Sequence, residues 1–267
     1  MIVPFIKAHG AKNDFLLTWA SQAPLNGLPE LAIAICDRHT GIGADGWMLV
    51  EPAGSESYAS IRLINSDGSP SELSGNGTRC AAAMLIDAGH KDEIVNIVTG
   101  AGLKRLKLLN RENNKYFFEM NMGSAVIESH GPFNIGDRTL DATILNVGNP
   151  QCAIFVDEFP SGWQEIGAAI ERHPRFPNRT NVSFVKYVDP NTIDVRFFER
   201  GAGETMSSGT GSTGAAAAAV ARGLVKSPVT VRTVAGDLRL HWDGDEAHLA
   251  GPAEIIAKGE FYFRQEA

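Results

Sequence analysis

Two four-residue stretches have the residue types and spacing for chemistry: Ser74-Gly75-Asn76-Gly77 and Ser208-Gly209-Thr210-Gly211, each running into an alanine-rich segment. A serine at this position caps a helix by accepting a backbone N–H. Glycines let the backbone approach a ligand closely. A helix start presents unpaired N–H groups and a partial positive charge. Two such starts would hold a carboxylate, or a carbanion conjugated with one, from both sides. A single Ser-Gly stretch is more often only a cap, but a pair in equivalent positions favours a ligand site. Asn65 lies nine positions before Ser74, and Glu199 nine positions before Ser208.

The elements that must position these residues are mostly short strands. Alternating or β-branched runs predict strands over 48–51, 60–65, 94–98, 103–109, 116–120, 153–156, 182–188, 192–199, 229–233 and 238–242. Two helices are expected at about 78–87, stopped by Gly89, and 212–222, stopped by Gly223. Two more fall near 28–37 and 164–172. Short turns between strands suggest mixed or antiparallel sheets.

The chain also repeats at long range. Ser74 and Ser208 differ by 134 positions, as do Asn65 and Glu199. Asn13 of Gly10-Ala-Lys-Asn13 precedes Asn149 of Gly148-Asn149-Pro150 by 136, and Val50-Glu51-Pro52 precedes Val188-Asp189-Pro190 by 138. A near-constant offset with the order kept indicates duplication of one unit. Ligand sites favour the interface of two such halves.

Bulk properties exclude several classes. At 267 residues, 43% hydrophobic and 21% charged, the chain is an ordinary globular protein. A net charge of −7 without basic blocks argues against nucleic-acid binding. Cys36, Cys80 and Cys152 have neither disulfide nor metal-site spacing, which fits a reducing compartment. The seven histidines are scattered, so no metal is expected. The first residues lack a secretory pattern and no apolar run could span a bilayer, so a cytoplasmic protein without membrane contact is expected. Two GxGxxG matches are discounted. Gly41–Gly46 leads into a strand, and Gly209–Gly214 lacks both the tight turn and the distal acidic residue of a dinucleotide site.

Further motifs bring a family into view: Lys7-Ala-His-Gly-Ala-Lys-Asn13-Asp-Phe15, Arg38-His-Thr-Gly-Ile-Gly-Ala-Asp45-Gly46, Asn65-Ser-Asp-Gly-Ser69, Gly75-Asn-Gly-Thr-Arg-Cys80, Gly148-Asn-Pro150, Asn181-Val182 and Glu199-Arg-Gly-Ala-Gly-Glu-Thr205. In this order they resemble the diaminopimelate epimerase family. The resemblance implies an α+β fold of two pseudo-symmetric domains, each a curved mixed or antiparallel sheet around a central helix. It divides the chain at 1–125 and 126–251, with 252–267 returning to the first domain. It implies a homodimer and a cofactor-independent isomerase. The reaction would invert the α-carbon of LL-diaminopimelate to the meso form in lysine biosynthesis, with one thiolate removing the α-proton and an opposed thiol returning one. Asn13, Asn65, Asn149, Asn181, Glu199 and Arg200 match the family's substrate-recognition residues. Gly75-Asn76 and Gly209-Thr210 match the backbone donors for the reacting carboxylate.

The departures fall in the chemistry. Ser74 and Ser208 stand where the family has cysteine, and Gln151 where it has histidine after Gly-Asn-Pro. Gly46 replaces a glutamine of some members. A thiol titrates near about 8.5 and an alcohol near about 15.7, so alkoxide costs roughly 10 kcal/mol more than thiolate unless a base assists. Glutamine is no base, but Glu199 is one. The expectation is a protein that binds a diaminopimelate-like amino acid and epimerises it slowly or not at all. Alternatives are a one-base isomerase, tautomerase or lyase, a non-catalytic amino-acid-binding homologue, a cysteine-to-serine variant of an ordinary member, and a homodimeric scaffold with no small-molecule role.

Overall fold

The structure, a computed structural model, describes residues 1–53 and 58–263. It forms two compact units, Met1–Met120 with Gly251–Ala267, and Asn121–Ala250. No helix among the described residues is long and apolar enough to cross a membrane.

The first unit opens with a hairpin, β1 (Ile2–Gly10) and β2 (Asn13–Trp19). Ala11 and Lys12 both have positive φ, the mark of a tight primed turn, and so Asn13 sits at a sharply defined corner. Then follow α1 (Leu28–Cys36), β3 (Gly46–Pro52), β4 (Ala59–Asn65), the short β5 (Pro70–Ser71), α2 (Gly75–Asp87), β6 (Ile94–Thr99), β7 (Gly102–Glu112) and β8 (Lys115–Ser124). β2 and β3 are parallel, as are β4 and β6; β1–β2, β3–β4, β6–β7 and β7–β8 are antiparallel.

The chain from β9 onward, whose last strand crosses into the first unit, runs through the same order. After β9 (Val126–Ile135) come β10 (Arg138–Asn146), β11 (Pro150–Val156), α3 (Trp163–Glu171), β12 (Asn181–Asp189), β13 (Thr192–Glu199), β14 (Gly203–Thr205), α4 (Gly209–Ala221), β15 (Val229–Thr233), β16 (Gly236–Asp243) and β17 (Glu246–Tyr262). Its parallel pairs, β11–β12 and β13–β15, take the places of β2–β3 and β4–β6. The duplication read from offsets is therefore a duplication of topology.

The sheets are mixed, as the strand patterns suggested. Each unit has one amphipathic helix closing a core. In the first, Leu31, Ile35 and Cys36 of α1 pack on Phe5, Leu16, Trp47 and Ile64. In the second, Ile166 and Ile170 of α3 pack on Phe133, Ile144, Ile154 and Phe184. The alanine-rich helices are buried differently. α2 contacts β1, β2, β3 and β6 and is buried from Asn76 to Ile86; α4 contacts β10–β13, β15 and β16 and is buried from Gly211 to Ala219. Alanine suits a helix enclosed on most faces, because strands then approach its backbone closely.

Both buried helices begin three residues earlier than expected, at Gly75 and Gly209. Glycine lowers helix propensity, but here the serine cap and tertiary packing outweigh that cost. The three cysteines are free and buried.

Candidate active site

The two serines have the same local geometry. Ser74 Oγ accepts from Gly77 N at 3.1 Å, and Ser208 Oγ accepts from Gly211 N at 3.1 Å. Each serine is the N-cap of a thirteen-residue helix. Glycine three residues on is required sterically. A Cβ on Gly211 would lie 2.8 Å from Phe197 Cδ1 and 2.9 Å from Ser208 Oγ. Gly211→Ala should therefore lose about 1–3 kcal/mol in urea unfolding, with unchanged stability as the contrary result. Gly77→Ala should cost less, because its Cβ meets the flexible end of Met48.

Around Ser74, the first unit gathers Asn13, Asn76 and a charged cluster. Asn76 Nδ2 donates to Asn13 Oδ1 at 3.3 Å, and Asn13 Nδ2 donates to Asp45 Oδ2 at 2.6 Å. Arg38 bridges Asp45 and Asp14, donating at 2.8 Å to each, and Lys7 lies 3.2 Å from Asp14. Burial alone would push the Asp14 carboxyl up, but bonds from Arg38 and Lys7 outweigh it and hold it below the usual range. The charges thus anchor the two amides. Asn65, paired with Gly46 across β3 and β4, donates through Nδ2 to Ser69 Oγ at 3.0 Å. Among the described residues, Ser74 Oγ bonds no side chain.

Ser208 differs in one respect. Its Oγ donates to Glu199 Oε2 at 2.7 Å, and Thr205 Oγ1 donates to Glu199 Oε1 at 2.7 Å. Desolvation pushes the Glu199 carboxyl above its usual range, partly offset by the bonds from Ser208 and Thr205. Ser208 itself is buried, at 4% exposure. A hydroxyl hydrogen-bonded to a carboxylate is the arrangement of an assisted acid–base group.

The remaining candidates of the second unit form a second polar cluster. Gln151 Nε2 donates to Asn149 Oδ1 at 2.7 Å, and Asn149 Nδ2 donates to Thr210 Oγ1 at 3.3 Å. Thr210 occupies the position equivalent to Asn76, so the Asn13–Asn76 contact recurs as Asn149–Thr210. Gln151 is 2% exposed, packs against Gly214 of α4 and leaves Oε1 without a partner. Asn181 Nδ2 donates to Pro150 O at 3.0 Å, and Asn181 Oδ1 accepts from Arg200 N at 3.1 Å. The Arg200 guanidinium is exposed and touches Asn178 O.

Two residues outside the sequence candidates shape this half. Thr205 shares Glu199 with Ser208; it lies six residues after the acid in the Glu-Arg-Gly-Ala-Gly-Glu-Thr motif, on the strand that pairs with β13, and its place in that motif was the available signal. Glu171 is 2% exposed and accepts from Gly201 N and Arg179 NH1, each at 3.2 Å, which fixes the turn carrying Arg200. Nothing in its sequence neighbourhood signalled that role. A cavity of about 480 Å³ lined by Ile127, Val220 and Trp242 lies at the other end of α4 and contains none of the candidate residues.

Comparison with solved structures defines the fold. A phenazine biosynthesis protein of the PhzF family from Bacillus anthracis is similar with a TM-score of 0.73 at 15% identity, over 98% of this chain and 100% of that one. A hydroxyproline epimerase from Agrobacterium vitis, solved with bound trans-4-hydroxy-L-proline, is similar at 0.71 and 14%, over 97% and 90%. This is the fold shared with those proteins, a mixed sheet with few helices. Sequence likeness is closer. The diaminopimelate epimerase family profile matches residues 5–128 and 143–256. Diaminopimelate epimerases from Pelotomaculum thermopropionicum and Moorella thermoacetica are 38% and 35% identical, over 97% and 96% of this chain and 99% and 98% of theirs. The chain belongs to the diaminopimelate epimerase family, and it is an isomerase.

Proposed function

We propose that the chain is an epimerase of a diaminopimelate-like amino acid whose α-proton transfer is slowed because hydroxyls occupy both acid–base positions. The observation that carries this reading is the 2.7 Å bond from Ser208 Oγ to Glu199 Oε2. In the forward step Ser208 Oγ takes the α-proton while its own proton passes to the Glu199 carboxylate. The C–H electron pair stays on the α-carbon and spreads into the substrate carboxylate, held by the N–H groups at the helix starts. Returning the proton to the same face reverses the step. Inversion requires Ser74 O–H to deliver a proton to the opposite face, which leaves an alkoxide with no neighbouring acid to refill it. Exchange should therefore outrun inversion.

Recognition is assigned to Asn13, Asn65, Gly75, Asn76, Asn149, Asn181, Arg200, Gly209 and Thr210, with Gln151 orienting Asn149 instead of acting as a base. The fuller fold reading belongs to the same proposal: two epimerase-like domains, each a curved sheet around a central helix, divided near residues 125 and 251. A homodimer, a cytoplasmic location and a place on the lysine route follow from family membership and are proposed with it.

Incubation with LL-diaminopimelate in D₂O, followed by proton NMR, tests the chemistry. Slow α-deuterium incorporation, faster than the appearance of the meso isomer, is expected. Rapid incorporation with matching inversion would refute the slowed step, and absence of any binding in titration calorimetry would refute the substrate class.

A further inference from the structure

The cavity of about 480 Å³ at the far end of α4 is lined entirely by residues of the second unit. Its floor is one face of the helix: Ala217, Val220 and Ala221 stand at i, i+3 and i+4 and so share a side. Their small side chains leave the space open. Ile127 of β9 and Trp242 of β16 wall it. Trp242 is held by its backbone N–H, which donates to Ser227 Oγ at 3.3 Å, and its cross-strand partner is the fully buried Ala247. Gly244 and Asp245 form the two-residue turn between the paired Asp243 and Glu246, with Gly244 at φ 57°. That turn sets the exposed Asp245 at the rim of the cavity.

Size and lining fit a small organic ligand. Pockets for such ligands span about 300–1,000 Å³ and are mostly apolar, with a few polar groups that select the occupant. Here the selection is by charge. Asp245 is the one ionised side chain among the lining residues. The basic residue that follows α4, Arg222, is engaged elsewhere: its guanidinium lies 4.4 Å from the centre of the Phe155 ring and donates to Asp141 Oδ2 at 2.7 Å. α4 ends at Ala221, and the C-terminal end of a helix carries partial negative charge. An indole ring attracts cations through its quadrupole. Carboxylate, helix end and indole thus all favour positive charge, while Ile127 and the α4 side chains favour hydrocarbon. An anion would meet a carboxylate, and a neutral hydrocarbon would desolvate that carboxylate without pairing it.

We infer that the second unit carries a further binding site, for a small organic ammonium, with the cationic nitrogen between Asp245 and Trp242 and the hydrocarbon on Ile127, Ala217, Val220 and Ala221. An exposed carboxylate contributes modestly to affinity. Burial of the hydrocarbon therefore supplies most of the binding, and the charges supply its sign.

The test is a ligand-observed NMR titration of the full chain with 2-phenylethylammonium, an amine that stays cationic at neutral pH. Saturable binding with a Kd of ~1 mM or tighter is expected, and phenylacetate, similar in size and opposite in charge, should not saturate. Asp245→Asn should weaken binding at least ~3-fold and Trp242→Leu at least ~5-fold. Asp243→Asn makes the same change in net charge outside the cavity lining, and should leave the Kd within ~2-fold of the parent. Should Trp242→Leu not fold, Ala221→Phe takes its place: it fills the cavity from an exposed position and should abolish binding. Absence of saturable binding overturns the inference, as does phenylacetate binding as tightly as the ammonium. So do an unchanged Kd in Asp245→Asn, equal losses in Asp245→Asn and Asp243→Asn, or undiminished binding in the Trp242 or Ala221 variant. No readout involves diaminopimelate, so this inference and the proposed function fail separately.

Discussion

Replacing Ser74 and Ser208 with cysteine and Gln151 with histidine should raise α-proton exchange from LL-diaminopimelate at least ~10³-fold. The reasoning starts from the gap between hydroxyl and thiol acidity. About 10 kcal/mol separates free alkoxide from free thiolate, and Glu199 relieves only part of that at Ser208. Ser74 has no such help, because among the described residues its Oγ bonds only the N–H of Gly77. A thiol at 74 is thus the change with most to gain. Both positions share the same extended N-cap backbone, which cysteine can adopt as well as serine. Gln151 is buried beside Gly214, with a donor on Asn149 Oδ1 that a histidine N–H can reproduce.

The measurement is deuterium wash-in by NMR alongside formation of the meso isomer. The three single variants separate the contributions. Ser208→Cys alone should chiefly speed exchange on one face, whereas only variants with cysteine at both positions should invert efficiently. If the triple variant binds diaminopimelate yet remains as slow as the parent, the serines do not limit the reaction and the site serves another chemistry.

Much of this arrangement was legible in the sequence because duplication marks it twice. A constant offset tied Ser74 to Ser208 and Asn65 to Glu199, and both helix starts lie where the Ser-Gly motifs put them. Strands such as β4, β6, β12 and β13 were equally legible, whereas β1, β2 and β10 were not anticipated although β2 and β10 hold no glycine or proline. β17 was not, because Gly251-Pro252 interrupts its pattern, and proline cannot donate to a ladder. In the structure, residues up to 250 pair with β16 and those from 254 pair with β1, so Pro252 has no partner on either of these two strands. β9 was missed for a related reason: it contains Gly131-Pro132 and alternates weakly. Nor could sequence alone show which polar residue meets which. Arg79 reads as a surface residue on a helix until α2 is seen to be enclosed. Glu171 reads as an exposed helix end until Gly201 and Arg179 are seen to close on it.

Glu199→Gln should abolish exchange while leaving the fold at least as stable at neutral pH. Glutamine keeps an acceptor for Ser208 or Thr205, so the polar cluster survives, but it cannot receive the proton that Ser208 must shed. The wild-type pH profile should carry the same signature. Glu199 is active as the carboxylate, and its folded pKa is raised by burial, so exchange should rise with pH through a value above the ordinary carboxylate range. The sign for stability is opposite. Between the unfolded pKa and the raised folded one, the folded state binds more protons, so Glu199 makes stability fall as pH rises through that window. Above it, the fold carries the full cost of a desolvated carboxylate, which Glu199→Gln removes. Thermal melts from pH 4 to 8 should therefore show the variant gaining on the wild type as pH rises, while its exchange rate stays at background. A variant that still exchanges would place the base elsewhere, and one that loses stability at neutral pH would mean that the hydrogen bonds to Glu199 outweigh its desolvation.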